Sequence, residues 1–170
     1  MRHVVAARLG DELAWTLLPP SVDEPAAAID PALPRSFVEL AEHYPARLAD
    51  DHRKQHGAWF TPLELAQPTA DRALAPLDVR GAPPLRVLDP AVGGGTFLRA
   101  AFRTLCANGL SAATALASLH GVDVDSTAAA LAALAIWEEA GCLGDPRDVA
   151  TRIRAGDGLL DLADGSFDAV

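Results

Sequence analysis

The residues of this chain best suited to chemistry are a carboxylate and three glycines within residues 85–97, LRVLDPAVGGGTF. The apolar residues at the start of this stretch predict a buried strand, and Asp89 stands where that strand ends. Gly93, Gly94 and Gly95 follow shortly after and lead into a helical pattern. A strand, a glycine turn and a helix in this order are typical of the first unit of a doubly wound nucleotide-binding sheet.

The charge of Asp89 indicates which nucleotide such a loop would bind. A dinucleotide pyrophosphate is anionic and would be repelled, whereas S-adenosylmethionine carries a sulfonium and an ammonium group that a carboxylate attracts. Because glycine also permits positive φ and close approach of the backbone, we predict a cofactor loop for methyl transfer. Two alternatives are a tight turn without a ligand, which leaves the entropic cost of the glycines unexplained, and a nicotinamide-binding loop. The nicotinamide fingerprint expects Gly or Ala at the position of Leu98.

The composition predicts the fold class and limits how the chain could meet DNA. With 170 residues, half of them apolar, the chain can form about one domain, and its alanine-rich segments favour a helix-rich α/β fold. A net charge of −9 argues against a surface that grips DNA by itself. Cys106 and Cys142 are expected to be small core residues in a reducing compartment. Since no metal-ligand, signal-peptide or membrane-span pattern is found, we predict a cytoplasmic protein without a metal or a membrane contact.

Alternating strand and helix patterns predict a parallel sheet with right-handed crossovers. The predicted strands cover residues 85–89, 119–124, 151–154 and 167–170, and the predicted helices cover 95–107, 111–119 and 126–140, with a turn over 141–146. The N-terminal part predicts a helical segment that ends at Pro19, a proline-rich linker over 21–34, and a helix that begins after the N-cap Ser36 and is interrupted at Pro45.

Two segments of the chain match motifs of a known family. Residues 89–98, DPAVGGGTFL, resemble the Asp-Pro-Ala-Cys-Gly-Ser-Gly-Thr-Phe-Leu signature of adenine-specific DNA methyltransferases, the enzymes of restriction–modification and related phage-defence systems. Val92 and Gly94 depart from that signature. Residues 57–62, GAWFTP, resemble the Gly-x-[Tyr/Phe]-[Tyr/Phe]-Thr-Pro segment that precedes the loop in this family. Because a strand-end acidic residue and a Gly-Asp turn follow in the family's order, the resemblance extends over residues 57–170.

The resemblance implies which residues hold S-adenosylmethionine. Thr61 closes over the methionine end of the cofactor, Asp123 accepts hydrogen bonds from both ribose hydroxyls, and Asp157 accepts one from the adenine amino group. The glycine loop supplies the other cofactor-binding residues: Asp89, Pro90, Ala91, Gly93 and Gly95. Simpler interpretations stay open, with Thr61 as the N-cap of a helix that starts at Pro62, Asp123 as a helix cap, and Asp157 in an ordinary turn.

The resemblance also implies the architecture. We expect an α/β fold, a Rossmann-like class I methyltransferase core whose parallel sheet is incomplete at the C-terminus, preceded by a helical N-terminal segment. The first strand would be central, with the second and third on one side and the fourth on the other. Residues 1–50 form the helical segment with its proline-rich linker, for which no motif indicates a function, and residues 51–170 form the cofactor-binding half. Asp125 is expected to cap the helix after the second strand or to face solvent.

The catalytic motif of the family, [Asn/Asp]-Pro-Pro-[Tyr/Phe], is absent from the sequence. It holds a flipped adenine and aligns the amino nitrogen with the methyl group. We therefore expect these residues to form the cofactor-binding portion of an enzyme, with no catalytic residue and no activity alone. The enzyme would bind double-stranded DNA through regions missing from this chain, and it would act with restriction or defence subunits. Alternatives are an inactive remnant that binds cofactor or a partner, and a methyltransferase for protein glutamine or RNA. The aromatic Thr-Pro segment favours DNA.

Overall fold

The computed structural model describes residues 5, 8–18, 36–48, 61–79, 85–160 and 167–169. Its helices are Asp11–Leu17 (α1), Phe37–Arg47 (α2), Leu63–Leu74 (α3), Thr96–Ala107 (α4), Ala112–Ser118 (α5), Ser126–Glu139 (α6) and Pro146–Arg152 (α7). Its strands are Val87–Asp89 (β1), Leu119–Asp123 (β2) and Ile153–Ala155 (β3). None of the helices in these residues has the length and apolarity that crossing a membrane requires.

The strands form a parallel sheet in the order β1-β2-β3, with Val87 opposite Leu119 and Gly121 opposite Ile153. Residues 167–169 run along the other side of β1. There the Leu88 amide donates to the Ala169 carbonyl over 2.9 Å, and these two segments are also parallel. The predicted order is therefore confirmed, because β1 lies between β2 and the fourth strand-like segment. The α/β fold with a helical N-terminal part is confirmed as well.

Two local predictions were wrong. The sequence pattern gave a turn through residue 146 and a strand from 151, but α7 fills Pro146–Arg152 and β3 begins at Ile153. Asp145 caps α7 by accepting from the Arg147 amide over 2.8 Å, and a proline at the first helical position is a typical start signal. The expected interruption at Pro45 is also absent, since α2 continues to Arg47. A proline near the C-terminal end of a helix removes only one hydrogen bond of the last turns.

One hydrophobic core joins the N-terminal helices to the sheet. Phe37 and Leu40 of α2 are buried in the same cluster as Leu98 of α4 and Ile136 of α6. The ring of Phe37 lies 6.4 Å from that of Trp137, and Ser36 caps α2 as predicted, accepting from the Glu39 amide. A division into two parts at residue 50 stays a prediction, but side chains from both parts pack in this core.

A buried guanidinium crosslinks three of these helices. Arg99 of α4, with a side chain only 6% exposed, pairs with Glu42 of α2 at 2.9 Å and with Glu139 of α6 at 3.1 Å. Arg103 contacts the other carboxylate oxygen of Glu139 at 2.7 Å. Burial raises the pKa of Glu139, but the hydrogen bonds from Arg103 and Arg99 outweigh it and hold the pKa below its ordinary value. This cluster fixes α2 against the helix that follows the glycine loop.

Candidate functional site

The glycine loop between β1 and α4 is shaped by backbone hydrogen bonds and by close packing. The Val92 amide donates to the Val122 carbonyl over 2.9 Å, and the Gly95 amide donates to the Val92 carbonyl over 2.7 Å. Gly95 is the N-cap of α4 and has a left-handed backbone with φ 82°. A Cβ atom there would lie 3.1 Å from the Cβ of Ala132. Glycine is therefore required at this position by conformation and by space.

Asp89 carries a carboxylate oxygen that lacks a partner. Its Oδ1 atom accepts from the Ala91 amide over 3.1 Å, while Oδ2 is buried and has no hydrogen-bond partner in the described part of the chain. Burial raises the pKa of Asp89, and the nearby Asp123 carboxylate raises it further against the opposing hydrogen bond from Ala91. Leaving a buried acceptor unsatisfied costs about 1–3 kcal/mol. A donor or cation that reached this atom would recover that free energy.

A mostly apolar pocket of about 150 Å³ opens beside Asp89, between α3, α4 and β1. Its walls include Leu74, Pro90, Phe97 and Leu98. Because an apolar wall lowers the local dielectric, a positive group beside Asp89 would be attracted more strongly there than in open solvent.

Asp123 joins the end of β2 to the glycine loop. Its Oδ2 atom accepts from the Gly93 amide over 2.7 Å, and its Oδ1 atom accepts from the Asp125 amide over 2.8 Å. The side chain is half-buried. Each carboxylate oxygen has two lone pairs, so both atoms keep the capacity to accept a second hydrogen bond from a ligand. The predicted ribose-binding residue thus lies against the predicted cofactor loop.

The turn after β3 packs against the same loop. The Gly156 amide donates to the Asp123 carbonyl over 2.9 Å, and a Cβ atom on Gly158 would overlap the carbonyl group of Pro90. Asp157 Oδ1 accepts from the amides of Leu159 and Leu160 at 2.8 and 3.3 Å, which is the hydrogen bonding of an ordinary Asx turn. Asp157 therefore makes the turn contacts of the simpler interpretation while lying next to the glycine loop.

Apolar side chains are exposed at the carboxyl edge of the sheet. Val124, after β2, is 58% exposed, and Leu159 and Leu160, after β3, are 91% and 75% exposed. Since β2 and β3 are neighbours in the sheet, these side chains lie at one edge together with Asp123 and Asp157. Exposed apolar patches rimmed by polar residues mark interaction surfaces or ligand-binding grooves.

Thr61 directly precedes the N-cap of α3. The helix begins at Leu63 with Pro62 as its N-cap, so the interpretation of Thr61 as the N-cap was wrong. The aromatic residues Trp59 and Phe60 lie outside the described residues. The role of Thr61 stays a prediction, and the other seven predicted cofactor residues lie in or next to the glycine loop: Asp89, Pro90, Ala91, Gly93, Gly95, Asp123 and Asp157.

Sequence reasoning missed the contribution of α2 to this region. The Tyr44 hydroxyl donates to Asp125 Oδ2 over 2.8 Å, and a Cβ atom on Gly94 would lie 3.0 Å from the Ala41 carbonyl oxygen. Asp125 Oδ1 caps α6 by accepting from the Thr127 amide, which confirms the predicted cap. The contact of Tyr44 joins residues 81 positions apart, and no local motif signals it.

Both cysteines are free thiols. Cys106 is half-buried and Cys142 is exposed, so the prediction of a core position was wrong for Cys142. Cys142 has a positive φ of 59° in the turn after α6.

Residues 36–159 match the family model of the N-6 DNA methylases. This range begins at the N-cap of α2 and ends in the turn after β3, so it contains both the glycine loop and the helix that packs on it. No curated protein and no solved structure matches the chain.

Proposed function

Because this chain belongs to the N-6 DNA methylase family, we propose that its glycine loop and carboxyl edge bind S-adenosylmethionine. We further propose that it serves an enzyme that methylates the exocyclic amino group of adenine in DNA. The single observation that supports this most directly is the buried Oδ2 atom of Asp89 beside the glycine loop, which has no hydrogen-bond partner among the described residues. An ammonium group would supply the donor that this atom lacks, and S-adenosylmethionine carries one close to its sulfonium.

The remaining contacts of the cofactor would be made by residues at the carboxyl edge of the sheet. Asp123 would accept from the ribose hydroxyls with the lone pairs that its two backbone hydrogen bonds leave unused. Val124, Leu159 and Leu160 would cover the adenine ring, because they are the apolar groups exposed at this edge. Asp157 would meet the adenine amino group. In this arrangement the loop orients the methionine end and the edge orients the nucleoside end.

When bound, S-adenosylmethionine supplies an electrophilic methyl group. The described residues bind and orient it, and Asp89 would stabilise its positive charge in an apolar setting. We assign the holding of the flipped adenine and the grip on double-stranded DNA to regions outside these 170 residues. This assignment rests on the absence of the [Asn/Asp]-Pro-Pro-[Tyr/Phe] motif and on the net charge of −9.

The biological setting that we propose is a restriction–modification or related defence system in the cytoplasm. The two free thiols suit a reducing compartment. A family match to DNA methylases favours DNA over RNA or protein glutamine as the methyl acceptor.

Calorimetric titration of the chain with S-adenosylmethionine, its demethylated product and NAD tests the cofactor assignment. We expect the first two ligands to bind and NAD not to bind. Asp123→Ala should weaken binding of both by about 1.5–3 kcal/mol, since hydrogen bonds from two hydroxyls to a charged group are lost. Asp145→Asn is the matched control, because Asp145 is an exposed cap of α7 and asparagine caps equally well. Binding of NAD alone, or unchanged affinity in Asp123→Ala, would contradict the assignment.

A further inference from the structure

Helix α2 comes from a part of the chain for which the sequence indicated no function, yet it reaches the carboxyl edge of the sheet. We propose that Tyr44 is a positioning residue that acts through Asp125 to hold Asp123 and the glycine loop in their binding arrangement. This inference rests on the proposed function, because it concerns the affinity of the same site for S-adenosylmethionine.

A continuous line of hydrogen bonds leads from α2 to the glycine loop. The Tyr44 hydroxyl donates to Asp125 Oδ2 over 2.8 Å. The Asp125 amide donates to Asp123 Oδ1 over 2.8 Å, and Asp123 Oδ2 accepts from the Gly93 amide over 2.7 Å. Fixing the side chain of Asp125 therefore restricts the short segment between β2 and α6. The amide of Asp125 in this segment holds the carboxylate of Asp123 in place.

The bond from Tyr44 is not needed to cap α6. Asp125 Oδ1 alone accepts from the amides of Thr127 and Ala128, at 2.8 and 3.2 Å. This leaves Oδ2 for Tyr44, so the two oxygens of one carboxylate serve two purposes. Burial raises the pKa of Tyr44, and the hydrogen bond to Asp125 raises it further, so the hydroxyl stays a donor throughout the neutral pH range.

A second contact of the same helix reinforces the first. Ala41 precedes Tyr44 by three positions and therefore shares its helix face, and its carbonyl lies against Gly94. Glu42, on the same turn, pairs with the buried guanidinium of Arg99 in the helix that leaves the loop. Helix α2 thus contacts the glycine loop, the first turns of α4 and the segment after β2.

The test compares Tyr44→Phe with Asp125→Ser and with the double variant. Phenylalanine removes only the hydroxyl. Serine still caps α6 but is too short to reach Tyr44. We expect each single variant to bind S-adenosylmethionine and its demethylated product about three- to tenfold more weakly, the effect of one charge-assisted hydrogen bond acting through a neighbour. The double variant should bind no more weakly than either single one.

Ser36→Ala is the matched control, because it removes one side-chain hydrogen bond at the other end of the same helix. It should leave the affinity unchanged even if it lowers the melting temperature as much as Tyr44→Phe does. A measurement without ligand adds an independent readout: hydrogen exchange of the Gly93 amide should be faster in Tyr44→Phe and unchanged in Ser36→Ala.

The outcomes separate this inference from the proposed function. If the unaltered chain binds the cofactor and Tyr44→Phe binds it equally well with the same Gly93 exchange rate, the positioning role is overturned and the cofactor site stands. Additive losses in the double variant would also overturn it. If the unaltered chain binds neither ligand, the proposed function fails and this inference fails with it.

Discussion

Replacing Asp89 with asparagine is expected to change stability and ligand affinity in opposite directions. The substitution keeps the shape of the side chain and the acceptor that meets the Ala91 amide over 3.1 Å. It removes the negative charge from a carboxylate whose other oxygen is buried and has no partner within the part of the chain that the structure describes. The protein then no longer bears the cost of burying that charge, but it also loses the group that attracts a cationic ligand.

The stability gain follows from the buried charge and from the raised pKa. Burial of the ionised carboxylate is the largest cause of the raised pKa, and asparagine removes that charge, although its amide NH2 group would also lack a partner among the described residues, so we expect a gain of about 1–2 kcal/mol near pH 7. The pKa of Asp89 is higher in the folded protein than in the unfolded chain, where it is about 3.9. The free energy of unfolding therefore falls as the pH rises from the unfolded-state pKa through the folded-state pKa. The gain should therefore disappear at acidic pH, where Asp89 is protonated in both states.

The affinity loss follows from the charge. A hydrogen bond from an ammonium group to a carboxylate is worth about 1.5–3 kcal/mol, so Asp89→Asn should bind S-adenosylmethionine about ten- to 150-fold more weakly. Denaturant unfolding at neutral and at acidic pH measures the first effect, and calorimetry measures the second. Asp145→Asn should show neither effect. Loss of stability at neutral pH together with unchanged affinity would refute the reasoning from the buried oxygen.

Three further predictions concern packing and activity. Gly158→Ala should destabilise the chain by about 1–3 kcal/mol because its Cβ atom overlaps the Pro90 carbonyl group, and an unchanged denaturation midpoint would contradict the contact. Arg99→Met should cost about 2–4 kcal/mol near pH 7, because Glu42 and Glu139 lose their buried partner; the loss should shrink in acid as the carboxyls are protonated, which unfolding curves against pH will show. The 170 residues alone should not transfer a radiolabelled methyl group to mixed-sequence DNA, and clear incorporation would mean that a residue assigned here to binding is catalytic.

The sequence predicted well those parts of the molecule that local patterns determine. Strand–helix alternation was enough to predict a parallel sheet, and the glycine loop was recognisable from its residue types. The order of the strands came from the resemblance to the methyltransferase family. The pattern failed at α7, although Asp145 and Pro146 form a standard start signal, because glycine and proline in residues 141–146 also suit a turn. The contact between Tyr44 and Asp125 could not be predicted, because it depends on how α2 packs across the core.

The packing of α2 has a consequence for how such chains can recombine. Recombination between two related genes at a point between residues 48 and 61 would exchange α2 separately from the glycine loop. The backbone of the new helix would have to pass as close to Gly94 as that of α2 does. The helix would also have to supply a carboxylate partner for Arg99 and a hydroxyl within reach of Asp125. Chimeras joined there should therefore work only between closely matched parents, whereas junctions ahead of Ser36 transfer the helix and the loop together as one inherited unit.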